Sequence, residues 1–427
     1  MRSVTSRSTG TLRSLALCAT GLAVICGMAE PSRAQSLFAR EGIGVWREGY
    51  SLAARGAGGT AIGRIERFPS SPLNPASAAF ATTAQFHAAL LTEQSWSTTE
   101  AGKGGRSGLL RIPGLRVVVP LGAEIHLALG YRDLTEGAYR VEETVNPATG
   151  DELTRKLEGR GALGGYTVGL ARKFFADRLA VGAEAGLARG TLQEEVELDF
   201  TAAELRDATE LLRTRMEDGN LWTIGFQARV LEPLSLGAFW QASSRVRLTS
   251  LYENGSGVGL EERARLGLPT GFGIGAAWSV RPGAVLACDY VSRAWSDVEF
   301  SLRPGGGLSG AEQAAASNLD ELPDASRLGL GITLQHPGLQ ANDPFSKRII
   351  WRAGLTREEL SVPTSTGEPV VARNGSFGVG LPVQRDRGSI DLLFEFGSRG
   401  DTEEIGLSEK FFRFGVGVGF GTLQPAF

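Results

Sequence analysis

The stretch FFRFGVGVGFG, Phe411 to Gly421, alternates without a break. Phe412, Phe414, Val416, Val418 and Phe420 fall on one face of an extended chain, and Arg413, Gly415, Gly417, Gly419 and Gly421 on the other. A two-residue period is that of a β-strand, here with one apolar face and one small or polar face. SIDLLFEFG carries the same code, with Ile390, Leu392, Phe394 and Phe396 against Asp391 and Glu395. In LWTIGFQARV, Trp222, Ile224, Phe226, Ala228 and Val230 oppose Thr223, Gln227 and Arg229.

Working outward from these, fourteen strand-like segments are predicted, near 83–98, 107–119, 123–145, 160–175, 178–200, 218–231, 234–251, 268–280, 284–302, 325–335, 347–361, 374–384, 388–398 and 408–421. Their connections alternate between short (PLGA, ADR, LEPL, RPGA, RDRG) and long (146–159, 201–217, 252–267, 303–324, 361–373). That alternation predicts an all-β fold, a 14-stranded antiparallel transmembrane β-barrel with short periplasmic turns and long external loops. A soluble β-sandwich would not sort its loops by length in this way. Lipid offers no hydrogen bonds, so the sheet has to close on itself. An even strand number lets both termini end on the periplasmic side.

The first residues predict export. Arg2, Arg7 and Arg13 precede an apolar run from Leu15 to Ala29, and Ser32-Arg33-Ala34 offers small residues at a cleavage site. The run is short of the roughly 20 residues a membrane helix needs. Ile25 before Cys26 argues against lipid modification. Residues 1–34 therefore read as a signal peptide, 35–82 as an N-terminal hatch or plug, and 83–427 as the barrel. Without the leader, 427 less 34 leaves 393 residues, with 40 basic against 46 acidic side chains. The resulting charge of −6 gives no footprint for nucleic acid. Cys288 is the one cysteine beyond the leader, so no intrachain disulfide is expected. Glycine, 58 of 427 residues, is about twice its usual ~7%. Inward glycines such as Gly182, Gly186, Gly225, Gly273, Gly275, Gly329 and Gly331 either make room for a lumenal segment or relieve strand curvature.

Residues 35–82 have no place among the strands, yet GIGVW, YSLAA and LNPASAAF are too apolar for a solvated tail. A compact plug inside the barrel is predicted. Gly56, Gly58 and Gly59 permit tight turns, Pro72 and Pro75 stiffen the approach to the wall, and Asn74 fixes the turn into the first strand.

GYSLAARGAGGTAIG followed by LNPASAAF resembles the hatch of the long-chain fatty acid transporter family, the FadL-type outer-membrane proteins that include aromatic-hydrocarbon transporters. FGVGLPVQRDRGSIDLLFEFGSRGDTEEIGLSEKFFRFGVGVGF is similar to the last three strands of a bacterial branch of that family. The resemblance spans almost all of the mature chain. It implies that Asn74, Pro75 and Ala76 form the hatch motif, which shapes a turn or takes part in hatch movement. It also implies a lateral opening at a kink in the third strand, for which Gly130 and Gly137 are the candidates. Phe420 and Phe427 both qualify as the aromatic assembly signal.

FTAAELRDATELLRTRMED reads as a short helix, capped by Thr201 and Glu204, with Leu205, Ala208, Leu212 and Met216 on one face. That face packs on a neighbouring loop or forms an entry groove; the resemblance implies a groove in this region. Alternation points Glu184, Arg229, Asp289, Arg352, Asp391, Glu395 and Arg413 into the lumen. There they pair with one another and the plug, or one arginine receives a carboxylate headgroup. His87, His126 and His336 lack metal-ligand spacing, and no nucleophile elbow or phosphate loop is present, so no enzyme, metal or cofactor is expected.

The expected function is passive uptake of long-chain fatty acids or aromatic hydrocarbons across the outer membrane. The alternative is a non-transporting scaffold or secretion-accessory barrel of the same fold. Expected partners are a hydrophobic ligand, outer-membrane lipid and lipopolysaccharide, and the barrel assembly machinery. The protein is expected to be monomeric.

Overall fold

The computed structural model describes residues 36–40, 43–49, 51–66, 71–100, 102, 104–145, 153–175, 177–200, 208–254, 257–302, 322–338, 343–364, 368–383 and 388–421. The signal peptide, the capping pair Thr201 and Glu204, Leu205 and Phe427 lie outside them. Fourteen antiparallel strands close into a barrel. They are β1 (Gln85–Thr99), β2 (Gly104–Arg111 and Gly114–Gly122), β3 (Ile125–Asp133 and Tyr139–Val145), β4 (Leu153–Phe174), β5 (Leu179–Phe200) and β6 (Ala208–Leu231). There follow β7 (Leu234–Ser243 and Arg245–Asn254), β8 (Gly257–Gly267 and Thr270–Arg281), β9 (Ala284–Ala294 and Phe300–Leu302) and β10 (Ala325–Leu334). The last four are β11 (Ile350–Leu360), β12 (Val370–Val383), β13 (Gly388–Asp401) and β14 (Leu407–Gly421). The seam joins β1 to β14, from Gln85 opposite Gly421 to Thr99 opposite Leu407.

The alternation read from sequence sets the two faces. On β6, Trp222 is 57% exposed while its neighbour Thr223 is 4% exposed. Ile224, Phe226, Trp240, Phe272, Ile274, Phe396 and Phe412 likewise stand outward, forming the belt that meets lipid.

Three predicted loops shrink because strands continue through them. β4, β5 and β6 are 22, 22 and 24 residues long, about twice the ~9–11 that cross a bilayer. Their distal halves stand in water, so no apolar stripe marks them. Charge pairs between neighbouring strands hold them instead, including Lys156–Asp199 at 2.5 Å and Arg160–Glu195 at 3.3 Å. The predicted helix at 201–217 is corrected on its described part. Ala208, Leu212 and Met216 belong to β6; all three pair with β5, and Leu212 and Met216 pair with β7 on the other side. A spacing of four is also even, so it repeats on one face of a strand as readily as on a helix.

The described residues between 36 and 81 pack against the inward faces of the barrel. The pieces are a 3₁₀ turn at Leu37–Arg40, a two-residue strand Val45–Trp46, the helix α1 (Leu52–Gly56) and a 3₁₀ helix Pro75–Phe80. Inward glycines receive them. A Cβ on Gly354 would meet Gly58 N at 2.0 Å, and one on Gly331 would meet Ala57 O at 2.1 Å. Gly186, by contrast, meets only its strand neighbours Tyr166 and Thr167.

Candidate functional site: a gap in the barrel wall

Among the described residues, the ladder between β2 and β3 is interrupted. Gly104–Arg111 of β2 pairs only with β1, and Tyr139–Val145 of β3 pairs only with β4. Among the described residues no strand ladder joins these two segments to each other. The last link below the gap is the Asp133 N–H donating to Pro113 O at 3.2 Å.

The gap opens because β3 turns inward after Asp133. Leu134 N–H still donates to Leu163 O at 2.8 Å and Gly137 N–H to Gly161 O at 3.0 Å, so the chain keeps its hold on β4. Thr135 and Glu136 meanwhile pair with Trp46 and Val45 of the N-terminal segment. Of the two kink candidates, Gly137 sits at this departure. Gly130 lies in an unbroken ladder, opposite Arg116 and Thr167. The departure needs Gly44 as well, whose φ of +87° brings its Cα within reach of Glu136; a Cβ there would meet Glu136 O at 2.2 Å.

Charges line the inner mouth. Arg47 pairs with Glu136 at 3.0 Å, and Arg111 lies 3.6 Å from both Glu136 and Asp133. Arg47 Nη2, Arg111 Nε and Nη2, and Glu136 Oε1 are buried without hydrogen-bond partners. Below the gap, a partly open cavity of about 50 Å³ is bordered by Ser51, Leu52, His87, Pro113, Arg116 and Tyr131. On the outside of the same wall, Leu115, Val117, Leu129, Tyr131, Tyr166 and Trp222 form an apolar groove of about 640 Å³. Leu115, Arg116 and Tyr131 border both spaces.

Asn74 holds the N-terminal segment to the wall. Its side chain accepts from Ala76 N–H at 3.1 Å and donates to Ile62 O at 3.1 Å and Phe226 O at 2.9 Å. Pro75 opens the 3₁₀ helix that Asn74 caps, and Ala76 is fully buried. Asp289 accepts from the N–H groups of Ala61 and Ile62 at 2.6 and 2.8 Å. Arg293 grips Glu48 with two bonds of 2.9 Å. Burial works to raise the Glu48 carboxyl, and the Arg293 guanidinium overrides it, holding the group below the usual carboxylate range.

The predicted lumenal charges separate into working groups. Glu395 takes Arg55 of α1 at 2.8 Å and Arg413 at 2.6 Å, and Arg413 also pairs with Glu93. Arg399 then joins Glu93 at 2.6 Å to Glu409 at 2.5 Å. Arg352 pairs with Asp391 at 2.7 Å, and Glu184 lies 3.5 Å from Arg116. Arg229 differs: it is exposed at the short-turn end, where the ladder shifts register before Leu231. Met216 sits in an inward apolar cluster with Trp46, Leu221 and Trp295, and Leu212, on the same face, is exposed near the distal rim. Sequence reasoning missed Arg47, Arg111, Pro113 and Glu136. The available signal was DLTEGA, 133–138, where the alternation of β3 lapses.

The sequence matches the family model BamG over residues 12–422. No curated protein matches it. Among solved structures, a Pseudomonas aeruginosa FadL homologue is similar at a TM-score of 0.59 and 13% identity, covering 88% of this chain and 99% of that one. The P. putida toluene transporter TodX is similar at 0.57 and 16%, covering 88% and 99%. The Ralstonia pickettii toluene transporter TbuX is similar at 0.54 and 12%, covering 88% and 98%. These likenesses show a shared fold.

Proposed function

The chain belongs to the BamG family, and from that premise and the geometry of the wall we propose that it passes hydrophobic compounds sideways through the gap between β2 and β3. The observation that supports this reading is that the Leu115–Tyr131 pair, just below the stretch where no ladder joins β2 and β3, borders both the inner cavity and the outer apolar groove. The compounds are of the class of aromatic hydrocarbons, as the name of the toluene transporter TodX suggests, or of long-chain fatty acids, as the resemblance of the hatch sequence implies. Movement is passive, down a gradient.

The arrangement described is a closed one. A dry cavity of about 150 Å³ is what benzene occupies in an engineered core, and the space behind the gap is about 50 Å³. Opening therefore displaces Val45–Trp46 from Thr135–Glu136. The buried polar atoms of Arg47, Arg111 and Glu136 that lack partners favour motion here. Each forgoes about 1–3 kcal/mol in the closed arrangement, so less is lost on opening.

The test is a reversible staple. Val45→Cys with Glu136→Cys joins residues paired across the two-stranded ladder, in a Cys288→Ser background. Reduced, the barrel should restore growth on long-chain fatty acid to a strain lacking its own transporter; oxidised, it should not. Uptake unchanged by oxidation would overturn the lateral route. Failure of the assembled wild-type barrel would overturn transport itself.

A second reading has its own support. The N-terminal segment is anchored by buried ion pairs at Arg55–Glu395 and Glu48–Arg293, and the BamG name hints at a relation to barrel assembly. A scaffold docked on the barrel assembly machinery would co-purify with it equally well oxidised or reduced.

A further inference from the structure

Beyond the lipid belt, the outer wall of β6, β7 and β8 carries a concentration of arginines that neither passage nor docking explains. Register places them together. Arg247 on β7 lies directly opposite Arg265 on β8 and, on its other side, opposite Glu217 of β6. Two residues further along, Thr249 lies between Arg215 and Arg263. Arg213 and Arg245 extend the cluster along β6 and β7. All six are exposed, and they alternate with Val246, Leu248, Ala264, Leu266 and Met216, which are buried in the lumen.

Like charges directly opposed on neighbouring strands are destabilising. The protein answers part of this repulsion itself: Asp218 pairs with Arg247, Glu299 with Arg245, and Glu261 with Arg263 at 2.8 Å. Arg213, Arg215 and Arg265 make no ion pair or hydrogen bond from their side chains among the described residues. Six arginines thus face five carboxylates, counting Glu217 and Glu253, and the excess charge is outward, concentrated at Arg215 and Arg265.

The position says what could supply the missing counter-charge. On the same strands Trp222, Trp240 and Phe272 end the apolar belt on the side away from the short turns, which is the outer leaflet of the outer membrane. Arg245 lies five residues past Trp240, roughly 16 Å along the strand. A ligand spanning both zones is anionic at one end and has acyl chains at the other. Guanidinium groups match phosphate with two parallel hydrogen bonds.

We infer that this face binds the phosphorylated headgroup of an outer-leaflet lipid, with Arg215, Arg247 and Arg265 clasping phosphate while the acyl chains lie on Trp222, Trp240 and Phe272. A lipid is favoured over free phosphate because the belt continues beneath the cluster. The inference stands independently of what the barrel transports.

The probe is bisphosphorylated lipid A, titrated onto the folded barrel in non-ionic detergent and read by native mass spectrometry. Wild type should bind it about tenfold or more tightly than dephosphorylated lipid A, in a salt-sensitive manner. Arg215→Gln with Arg247→Gln and Arg265→Gln should bring the two lipids level, while Arg172→Gln with Arg178→Gln, at the short-turn end, should change nothing. Equal wild-type binding of both lipids would overturn the proposal, as would an unaffected triple variant. Inorganic phosphate binding as tightly as the lipid would make this a free-anion site. Loss of a co-purifying protein with lipid binding intact would make it a protein interface. If the triple variant does not assemble, Arg265→Gln alone is read the same way, and the comparison of lipids on wild type needs no variant.

Discussion

Asn74 and Gly225 are a matched pair. The asparagine reaches the backbone of β6 only because residue 225 has no side chain; a Cβ there would meet Asn74 Oδ1 at 2.1 Å. Gly225→Ala should dislodge the 3₁₀ helix at Pro75–Phe80, and Asn74→Ala should remove three hydrogen bonds at a cost of about 1–3 kcal/mol. Limited proteolysis between residues 36 and 81 checks both, wild type being protected and the variants cut. Arg413 is the hub of the lumenal ion network, 5% exposed and paired with Glu93 and Glu395. Arg413→Met leaves Glu93 with Arg399 and Glu395 with Arg55 but removes a charged partner from each, so it should cost about 1–3 kcal/mol. The readout is the temperature at which the compact, unboiled gel band disappears; an unchanged temperature would refute the hub. The inward direction of these charges was legible in SIDLLFEFG and FFRFGVGVGFG, because lipid on one side enforces strict alternation. Their pairing was not, since Glu93, Arg399 and Glu409 come from three strands and Arg55 from the segment within.

The tall hairpins β4, β5 and β6 show what lipid does and does not write into an element. Where they cross the bilayer, Tyr166, Val168 and Trp222 mark every second position; above it, water bathes the outer face and the stripe ends. A cysteine at Glu195 should therefore react with a membrane-impermeant maleimide on intact cells, while one at Val168 should stay unlabelled although its side chain is exposed from the protein. Labelling at Val168 would mean that the belt is misplaced. The same reasoning explains the mistaken helix at 208–217. Leu212 and Met216 are four apart, which suits either period, and only the pairing with β5 and β7 decides. The inward turn of β3 left a weaker trace, because its cause lies ninety residues away in Val45 and Trp46, and local sequence carries no record of a partner.

Taken whole, the molecule is a wall fastened to its contents, and the fastening depends on acidity. Glu48, held below the usual carboxylate range by Arg293, contributes stability that is complete above the ordinary glutamate value of about 4.3. That contribution is lost as pH falls through the lower folded-state value. The unfolding temperature of wild type should drop between pH 7 and pH 3, and Glu48→Gln should start lower and drop less. An equal drop in the two would assign the acid sensitivity elsewhere. The seam between β1 and β14 closes the wall around a mandrel. Its second half is the last of the fourteen strands in chain order, whereas the described residues between 36 and 81 come before the first. A cylinder closed at that seam without its mandrel would be lined with unanswered charge at Glu395, Asp289 and Arg293.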